Sequence, residues 1–133
     1  MAPDQPGTPY GPVILEHYRR PRNRGPLDDA DAIGQADNPL CGDRVRIGLR
    51  VGPDGRIADA RFQAEACAIC TAAASLITEM VRAVPPHEAA AIDQAQILRA
   101  LEVPIRPARL RCATLPLDAL RAAAGALTSS GAQ

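Results

Sequence analysis

The chain has 133 residues and a formal net charge of zero, with 47% apolar and 23% charged residues. This length and composition predict one globular domain with a core of its own. The balanced charge argues against a nucleic-acid partner, because binding to nucleic acid depends on neutralising phosphates. All 15 cations are arginine, which excludes lysine chemistry such as a Schiff base.

The sequence shows no signal for membrane insertion or secretion. No apolar run reaches the roughly 18 residues of a membrane span, and the first residues, MAPDQPGTPY, lack a basic start followed by an apolar stretch. We therefore expect a cytoplasmic protein without a membrane partner. Residues 1–9 are rich in proline and glycine and predict a disordered tail.

The N-terminal half predicts one helix followed by antiparallel strands. A helix begins at Pro12 and ends at Pro21. The predicted strands cover residues 32–36, 44–51 and 56–63. In the last strand, alternation places Ala58, Ala60 and Phe62 on one face.

The C-terminal half has a helical period. Helices are predicted over residues 67–84, 88–101 and 114–127, the second restarting near Asp93. Residues 102–113 read as an irregular loop, after which Thr114 is the expected N-cap and Pro116 lies in the first turn.

Strands followed by helices predict an α+β fold, with a small three-stranded antiparallel sheet and helices packed on one face. We expect a single domain over residues 10–127 and a C-terminal tail over 128–133.

Four cysteines in a chain without a secretion signal should stay reduced. Cysteines in that setting indicate metal or redox chemistry, or they serve as small buried apolar residues. Cys41 precedes the first long strand, Cys67 opens the long helix, and Cys112 precedes the last helix. A helix N-terminus lowers the pKa of a thiol, and Arg111 beside Cys112 would add to this effect.

Asp43 follows Cys41 by two residues, so both side chains point the same way in an extended segment. Three thiolates and one carboxylate could complete a four-coordinate zinc site, or they could hold one [2Fe–2S] cluster whose edge is exposed. A carboxylate is a harder and poorer cluster ligand than a thiolate, which would suit a cluster that must leave.

Cys67 and Cys70 form a Cys-x-x-Cys pair. The redox interpretation of this motif expects a βαβ pattern, whereas here an antiparallel hairpin precedes it. Cys70 is therefore interpreted first as a small core residue. We assign neither His17 nor His87 to a metal.

Four ordered segments resemble the IscU/NifU-type family of iron–sulfur cluster assembly scaffolds. They are YGPVILEHYRRPRNRG at 10–25, NPLCGD at 38–43, FQAEACAICTAAAS at 62–75 and RLRCATL at 109–115. The resemblance spans residues 10–127.

This resemblance implies a scaffold, not an enzyme, that accepts persulfide sulfur from a cysteine desulfurase. It implies iron or zinc bound by Cys41, Asp43, Cys67 and Cys112, a transient [2Fe–2S] cluster, and transfer of that cluster to acceptor proteins. We expect a monomer or a weak homodimer.

The chain also departs from the family pattern. Arg111 stands where IscU-like members carry His, which resembles the SufU-like branch, yet residues 85–111 are too short for the extra stretch of that branch. The chaperone-recognition motif Leu-Pro-Pro-Val-Lys reads Ile-Arg-Pro-Ala-Arg at 105–109, which argues against a dedicated chaperone. Cys70 replaces the usual Ser or Ala and is an additional thiol near the site.

Three functions follow from these observations. The first is a cluster scaffold, which the compact segment 85–111 favours. The second is a zinc-dependent sulfur acceptor with Cys41 as the accepting thiol, which Arg111 favours. The third is a purely structural zinc fold, although an aspartate ligand suits an exchangeable site better than a closed one.

Overall fold

The computed structural model describes residues 11–40 and 42–131. Its helices and strands, in chain order, are α1 (Gly11–Arg19), β1 (Ala32–Asn38), β2 (Asp43–Val51), β3 (Ile57–Glu65), α2 (Ala68–Met80), α3 (Pro86–Ala90), α4 (Gln94–Leu101) and α5 (Leu110–Gly131). The predicted tail over 1–9, residue 10 and Cys41 lie outside the described residues.

The three strands form one antiparallel sheet in the order β1-β2-β3. Val45, Ile47 and Leu49 of β2 are completely buried, because alternate residues of this strand face the helices. The predicted α+β class with a three-stranded antiparallel sheet is confirmed.

The predicted face of β3 is wrong at one residue. The pairing with β2 passes from Arg50 opposite Asp59 to Val51 opposite Ile57, so Ala58 is the extra residue of a bulge. Ile57 and Ala60 are buried, whereas Ala58 is exposed. A bulge shifts the alternation by one residue, and simple periodicity does not anticipate it.

The helices pack on one face of the sheet, as predicted, with α5 against β1 and β2 and α2 against β3. The contact between α5 and β1 depends on Gly34. A Cβ atom there would lie 2.0 Å from the carbonyl oxygen of Ala119 and 2.6 Å from the nitrogen of Ala123. Only glycine allows the helix to approach the strand this closely.

Polar contacts fix α1 against α2. The buried imidazole Nδ1 of His17 lies 2.8 Å from Ser75 Oγ, which also accepts a 2.8 Å hydrogen bond from the backbone N–H of Arg22. Asn23 donates to Thr78 Oγ1 at 3.1 Å. The segment that follows α1 is therefore attached to α2 by its buried hydroxyl groups.

Three predicted helix boundaries are wrong. α2 ends at Met80 instead of 84, because Ala83 adopts a left-handed φ of 67° and its N–H bonds to Ile57 O on β3. α5 begins at Leu110, preceded by a 3₁₀ turn, and it runs to Gly131 instead of Leu127.

Thr114 and Pro116 therefore lie inside α5 and do not open it. Thr114 Oγ1 donates to the carbonyl of Leu110 at 3.1 Å, as interior helix threonines do. The restart before α4 is confirmed, because Asp93 caps that helix. Within the described ranges, no helix is long and apolar enough to cross a membrane.

Candidate metal and cluster site

Three of the four predicted ligands meet at one end of the sheet. One oxygen of Asp43 and the sulfurs of Cys67 and Cys112 all lie within 4.8 Å of one another. They come from the start of β2, the N-cap of α2 and the first turn of α5. Cys41, the fourth predicted ligand and the predicted sulfur acceptor, lies outside the described residues.

Asp43 is held by the sheet. It is the first residue of β2, pairs with Asn38 at the end of β1, and is buried beside Cys112, with 3.7 Å between the Cys112 sulfur and Asp43 Oδ2. Because Val45 also faces the core, the alternation of β2 directs Asp43 toward the helices. A strand thus delivers the oxygen donor of the group.

Cys67 is the N-cap of α2, with an extended backbone (φ −68°, ψ 172°), and it is partly exposed. Its sulfur makes no capping hydrogen bond within the described part of the chain. At this position the positive end of the helix dipole favours an anion. Within the described group, the Cys67 sulfur is the one that solvent reaches.

Cys112 is buried in the first turn of α5 and does not lie in a loop before the helix, as the sequence had predicted. Burial, together with the neighbouring Cys67, raises the pKa of the Cys112 thiol to about 12. The predicted lowering of this pKa by the helix N-terminus is therefore wrong, because desolvation outweighs it. Metal binding would have to displace the proton.

The arginine nearest to the Cys112 sulfur is Arg109 and not Arg111. The Arg109 guanidinium lies 4.0 Å from that sulfur, whereas Arg111 forms an exposed ion pair with Asp118. Arg109 is three residues from Cys112. The contact was not predicted, because this segment was expected to be a loop. Helical spacing of three residues would have indicated the contact.

Cys70 lies completely buried in the first turn of α2, beneath this group. Burial, with the charges of Cys67 and Asp43, raises the pKa of the Cys70 thiol far above its ordinary value. The prediction of a buried Cys70 on the inward face of the helix agrees with this placement. His17 contacts Ser75, and His87 is exposed on α3.

The separation of Cys112 and Asp43 is close to that of two neighbouring ligands of a tetrahedral zinc ion. With a Zn–S bond of about 2.3 Å and a Zn–O bond of about 2.0 Å, the S···O edge of a tetrahedron is about 3.5 Å. The separation of Cys112 Sγ and Asp43 Oδ2 is 3.7 Å. Cys67 is the partly exposed member of the group, so a bound metal or cluster would be approached from its side.

Comparison with known proteins identifies the family. The NifU-like N-terminal domain family matches residues 9–131, nearly the whole chain. The chain belongs to this family. IscU from Haemophilus influenzae, described as an iron–sulfur cluster assembly scaffold protein, is 38% identical over 117 residues, which cover 86% of this chain and 91% of that protein.

This chain covers very different shares of the lengths of two further relatives. IscU from Escherichia coli K12 is 37% identical over 117 residues, and the match covers 90% of it. The bifunctional protein NifU/MnmA of Rubrobacter xylanophilus is 42% identical over 114 residues, but this chain spans only 23% of that protein. The similarity therefore lies within one part of the bifunctional relative.

Two solved structures share the fold. The SufU structure from Fervidobacterium islandicum AW-1 superimposes with a TM-score of 0.72 at 23% identity, covering 86% of this chain and 96% of that one. The N-terminal part of a NifU-like protein from Brucella abortus gives a TM-score of 0.72 at 22% identity, covering 91% and 95%. At this identity the likeness supports the architecture alone.

Proposed function

We propose that this protein is an iron–sulfur cluster assembly scaffold that holds a transient [2Fe–2S] cluster and passes it on. The cluster is cargo, held by Cys41, Asp43, Cys67 and Cys112. The observation that carries this proposal is the meeting of Asp43, Cys67 and Cys112 within 4.8 Å. Relatives that match over most of the chain are named as such scaffolds.

The mixed donor set supports release as well as binding. Thiolates are the usual protein ligands of iron–sulfur clusters, while a carboxylate is a harder and weaker ligand for such iron. Asp43 therefore offers a bond that an acceptor's thiolate could replace. A permanent cluster site would be better served by four thiolates.

The sulfur source we propose is a cysteine desulfurase, and the receivers are apo-proteins. The rim of the site supports contact with a protein, because Leu40, beside Cys41, is 96% exposed. An exposed leucine next to the proposed sulfur acceptor could be covered by a donor protein during transfer. We further propose that the protein is a carrier and catalyses no reaction itself. We also propose that it is cytoplasmic and that it is a monomer or a weak homodimer in solution.

The second candidate is a zinc-dependent sulfur acceptor that activates its desulfurase. The near-tetrahedral S···O separation between Cys112 and Asp43 favours it, as does the arginine at position 111, which is paired with Asp118 on the helix surface. In this role Cys41 would leave the zinc by ligand exchange and accept the persulfide sulfur, while the zinc stays bound.

Anaerobic reconstitution with iron, L-cysteine and a desulfurase tests the two candidates. A scaffold develops the visible absorbance of an iron–sulfur cluster, with iron and sulfide in equal amounts, and then transfers the cluster to an apo-ferredoxin. A sulfur acceptor instead retains zinc and raises desulfurase turnover without forming that chromophore. The Cys112→Ser variant is the matched control, because it removes one described ligand.

A further inference from the structure

Cys67 and Cys70 occupy the N-cap and N3 positions of α2. These two positions lie one helical turn apart, so their side chains are neighbours on the same face of the helix. The same chain shows this at α4, where N-cap Asp93 and N3 Gln96 each accept a 2.9 Å hydrogen bond from the other's backbone N–H. In α2 the two positions carry thiols instead.

The two thiols differ in access. Cys67 is partly exposed and makes no capping bond among the described residues, whereas Cys70 is completely buried behind it. An external sulfur compound can therefore reach Cys67 directly, and it would have to pass Cys67 to reach Cys70. The geometry of an α-helix places the Cα atoms of residues three apart about 5 Å from each other, and disulfides join Cα atoms that are about 4.4–6.8 Å apart.

We propose that Cys70 is the resolving thiol of a Cys67–Cys70 redox pair. When Cys67 carries an added sulfur, as a persulfide or a mixed disulfide, Cys70 attacks the Cys67 sulfur. The pair closes as a disulfide, and the added group is expelled as sulfide or as a thiol. A buried thiol on the helix that opens with Cys67 thus gains a chemical role beyond packing.

The persulfide reaction balances without a further reactant. Cys67–S–SH and Cys70–SH give Cys67–S–S–Cys70 and H₂S. The bond between Cys67 Sγ and the outer sulfur breaks, the bond between the two protein sulfurs forms, and the Cys70 proton leaves with the sulfide. Two thiols lose two electrons, which reduce the sulfane sulfur to sulfide, and an external dithiol then reopens the pair by thiol–disulfide exchange.

The thiol–disulfide chemistry of this inference does not depend on the proposed function. Its consequence for cluster assembly does rest on that function. Cluster assembly requires sulfide, whereas a desulfurase delivers sulfur at the oxidation level of a persulfide. The closed pair also withdraws Cys67 from the ligand group. Sulfide release and loss of metal would therefore occur together until a dithiol resets the pair.

The test uses oxidised glutathione and glutathione persulfide as probes on the metal-free full chain. In the native sequence we expect an intramolecular Cys67–Cys70 disulfide, identified by peptide mass spectrometry under non-reducing conditions, and sulfide release with the persulfide probe. In Cys70→Ala we expect loss of that disulfide with either probe. With glutathione persulfide, the added sulfur should stay on Cys67 as a persulfide and sulfide release should be lost. With oxidised glutathione, which expels reduced glutathione when it reacts, the glutathione adduct should accumulate on Cys67.

Cys112→Ser is the matched control, because Cys112 is the other described sulfur close to Cys67. It should still form the Cys67–Cys70 disulfide. A Cys67–Cys112 disulfide in the native sequence, or unchanged sulfide release in Cys70→Ala, would overturn the proposal. Circular dichroism confirms that Cys70→Ala is folded, and alanine suits this position because α2 already buries several alanines.

The outcomes separate this inference from the proposed function. If the disulfide forms but reconstitution never yields a cluster, the redox pair stands and the scaffold proposal fails. If a cluster assembles and transfers while no Cys67–Cys70 disulfide is found after either probe, the redox pair fails and the scaffold proposal stands.

Discussion

Asp43 distinguishes the described ligand group from a centre made only of thiolates. Its carboxylate is buried at the start of β2, with one oxygen 3.7 Å from the Cys112 sulfur. A buried carboxylate with few partners is costly unless a proton or a cation compensates its charge. Bound metal would supply that cation, and the bond from oxygen to iron would be the weakest of the set.

Replacement of Asp43 with alanine should leave a cluster bound but slow its transfer. The exchangeable ligand is lost, so an acceptor thiolate has no weak bond to displace. Transfer to an apo-ferredoxin, followed by circular dichroism in the visible region, measures the rate. Asp37→Ala is the control, because this carboxylate is exposed and paired with Arg44. If the rate of cluster transfer and the cluster lifetime were both unchanged, Asp43 would have no role in transfer.

Cys70 should be dispensable for binding even though it lies beneath the site. It is completely buried in the first turn of α2, and the proposed ligand set is complete without it. Cys70→Ser should keep metal stoichiometry, whereas Cys41→Ser, Cys67→Ser and Cys112→Ser should each lose metal.

Metal analysis of folded material measures this difference. Some loss of stability is expected in Cys70→Ser, because a buried hydroxyl needs a hydrogen-bond partner. If folded Cys70→Ser loses metal as fully as Cys67→Ser, then Cys70 is a ligand and the proposed set is wrong.

The contact between β1 and α5 sets the position of Cys112 relative to the sheet. α5 packs on β1, and Gly34 permits that approach because a Cβ there would overlap backbone atoms of α5 at 2.0 and 2.6 Å. Backbone cannot rotate away as a side chain can. The helix or the strand must move instead.

Gly34→Ala should therefore destabilise the fold by about 1–3 kcal/mol, the usual cost of overpacking, and should weaken metal binding by displacing α5. Gly125→Ala is the matched control, because a Cβ at that helical position meets no atom within 4 Å. It should stabilise α5 by up to about 1 kcal/mol. Urea unfolding of both variants measures the difference, and equal midpoints would contradict the packing argument.

The contact between α1 and α2 should respond to acid through His17. Burial lowers the pKa of His17 below its ordinary value of 6.5, and Arg22 lowers it further, while Glu79 and Glu16 oppose this. As pH falls through 6.5, the unfolded chain takes up the proton before the folded chain does. The stability gained from neutral His17 is therefore full above 6.5 and is lost as pH falls through the folded pKa.

Urea midpoints measured at about pH 7.5 and about pH 5.5, on either side of the ordinary histidine pKa, test this expectation. His17→Asn should show a smaller loss at the lower pH, because asparagine can still bond Ser75 but does not titrate. His87→Asn, which changes the exposed histidine on α3, should behave as the native sequence does. The same acid dependence in His17→Asn would show that another group is responsible.

Local patterns predicted the elements better than their ends. The presence of three strands and the α+β class were predicted correctly, because both follow from which residues must face a core. The ends of α2 and α5 were not, because they depend on contacts between distant segments. Ala83 pairs with Ile57 on β3 and so ends the helix.

The start of α5 was misplaced because Pro116 is typical of a first helical turn. Here Leu115 and Leu117 are buried on either side of it, and that burial holds the proline inside the helix. The sequence named Asp43, Cys67 and Cys112, which the structure brings together, while their role as ligands stays a prediction. The contact of Arg109 with Cys112 became visible only because its segment is helical.

At the scale of the whole molecule, the described ligands connect parts of the chain that are far apart in sequence. Asp43 belongs to the sheet, Cys67 opens α2, and Cys112 lies in α5. A bound ion would tie these three elements together at one end of the fold. The unfolded chain would not hold the same three donors in place.

Metal should therefore raise global stability, and its removal should lower it. A ligand that binds only the folded state stabilises it by about 2.7 kcal/mol at a hundred times its Kd. Zinc is the probe, compared with a chelator in thermal unfolding followed by circular dichroism at several metal concentrations. The native sequence should show a Tm that rises with zinc, and Cys112→Ser should lose most of that rise.

Asp37→Ala should keep the rise in Tm, because Asp37 is an exposed carboxylate on β1 and is not part of the ligand group. Zinc binding to cysteines of the unfolded chain would reduce the rise in Tm, and to the same extent in Asp37→Ala as in the native sequence, because both keep all four cysteines. A rise of equal size in the native sequence and in Cys112→Ser would mean that zinc stabilises the fold from another position. The group of Asp43, Cys67 and Cys112 would then not be the metal centre.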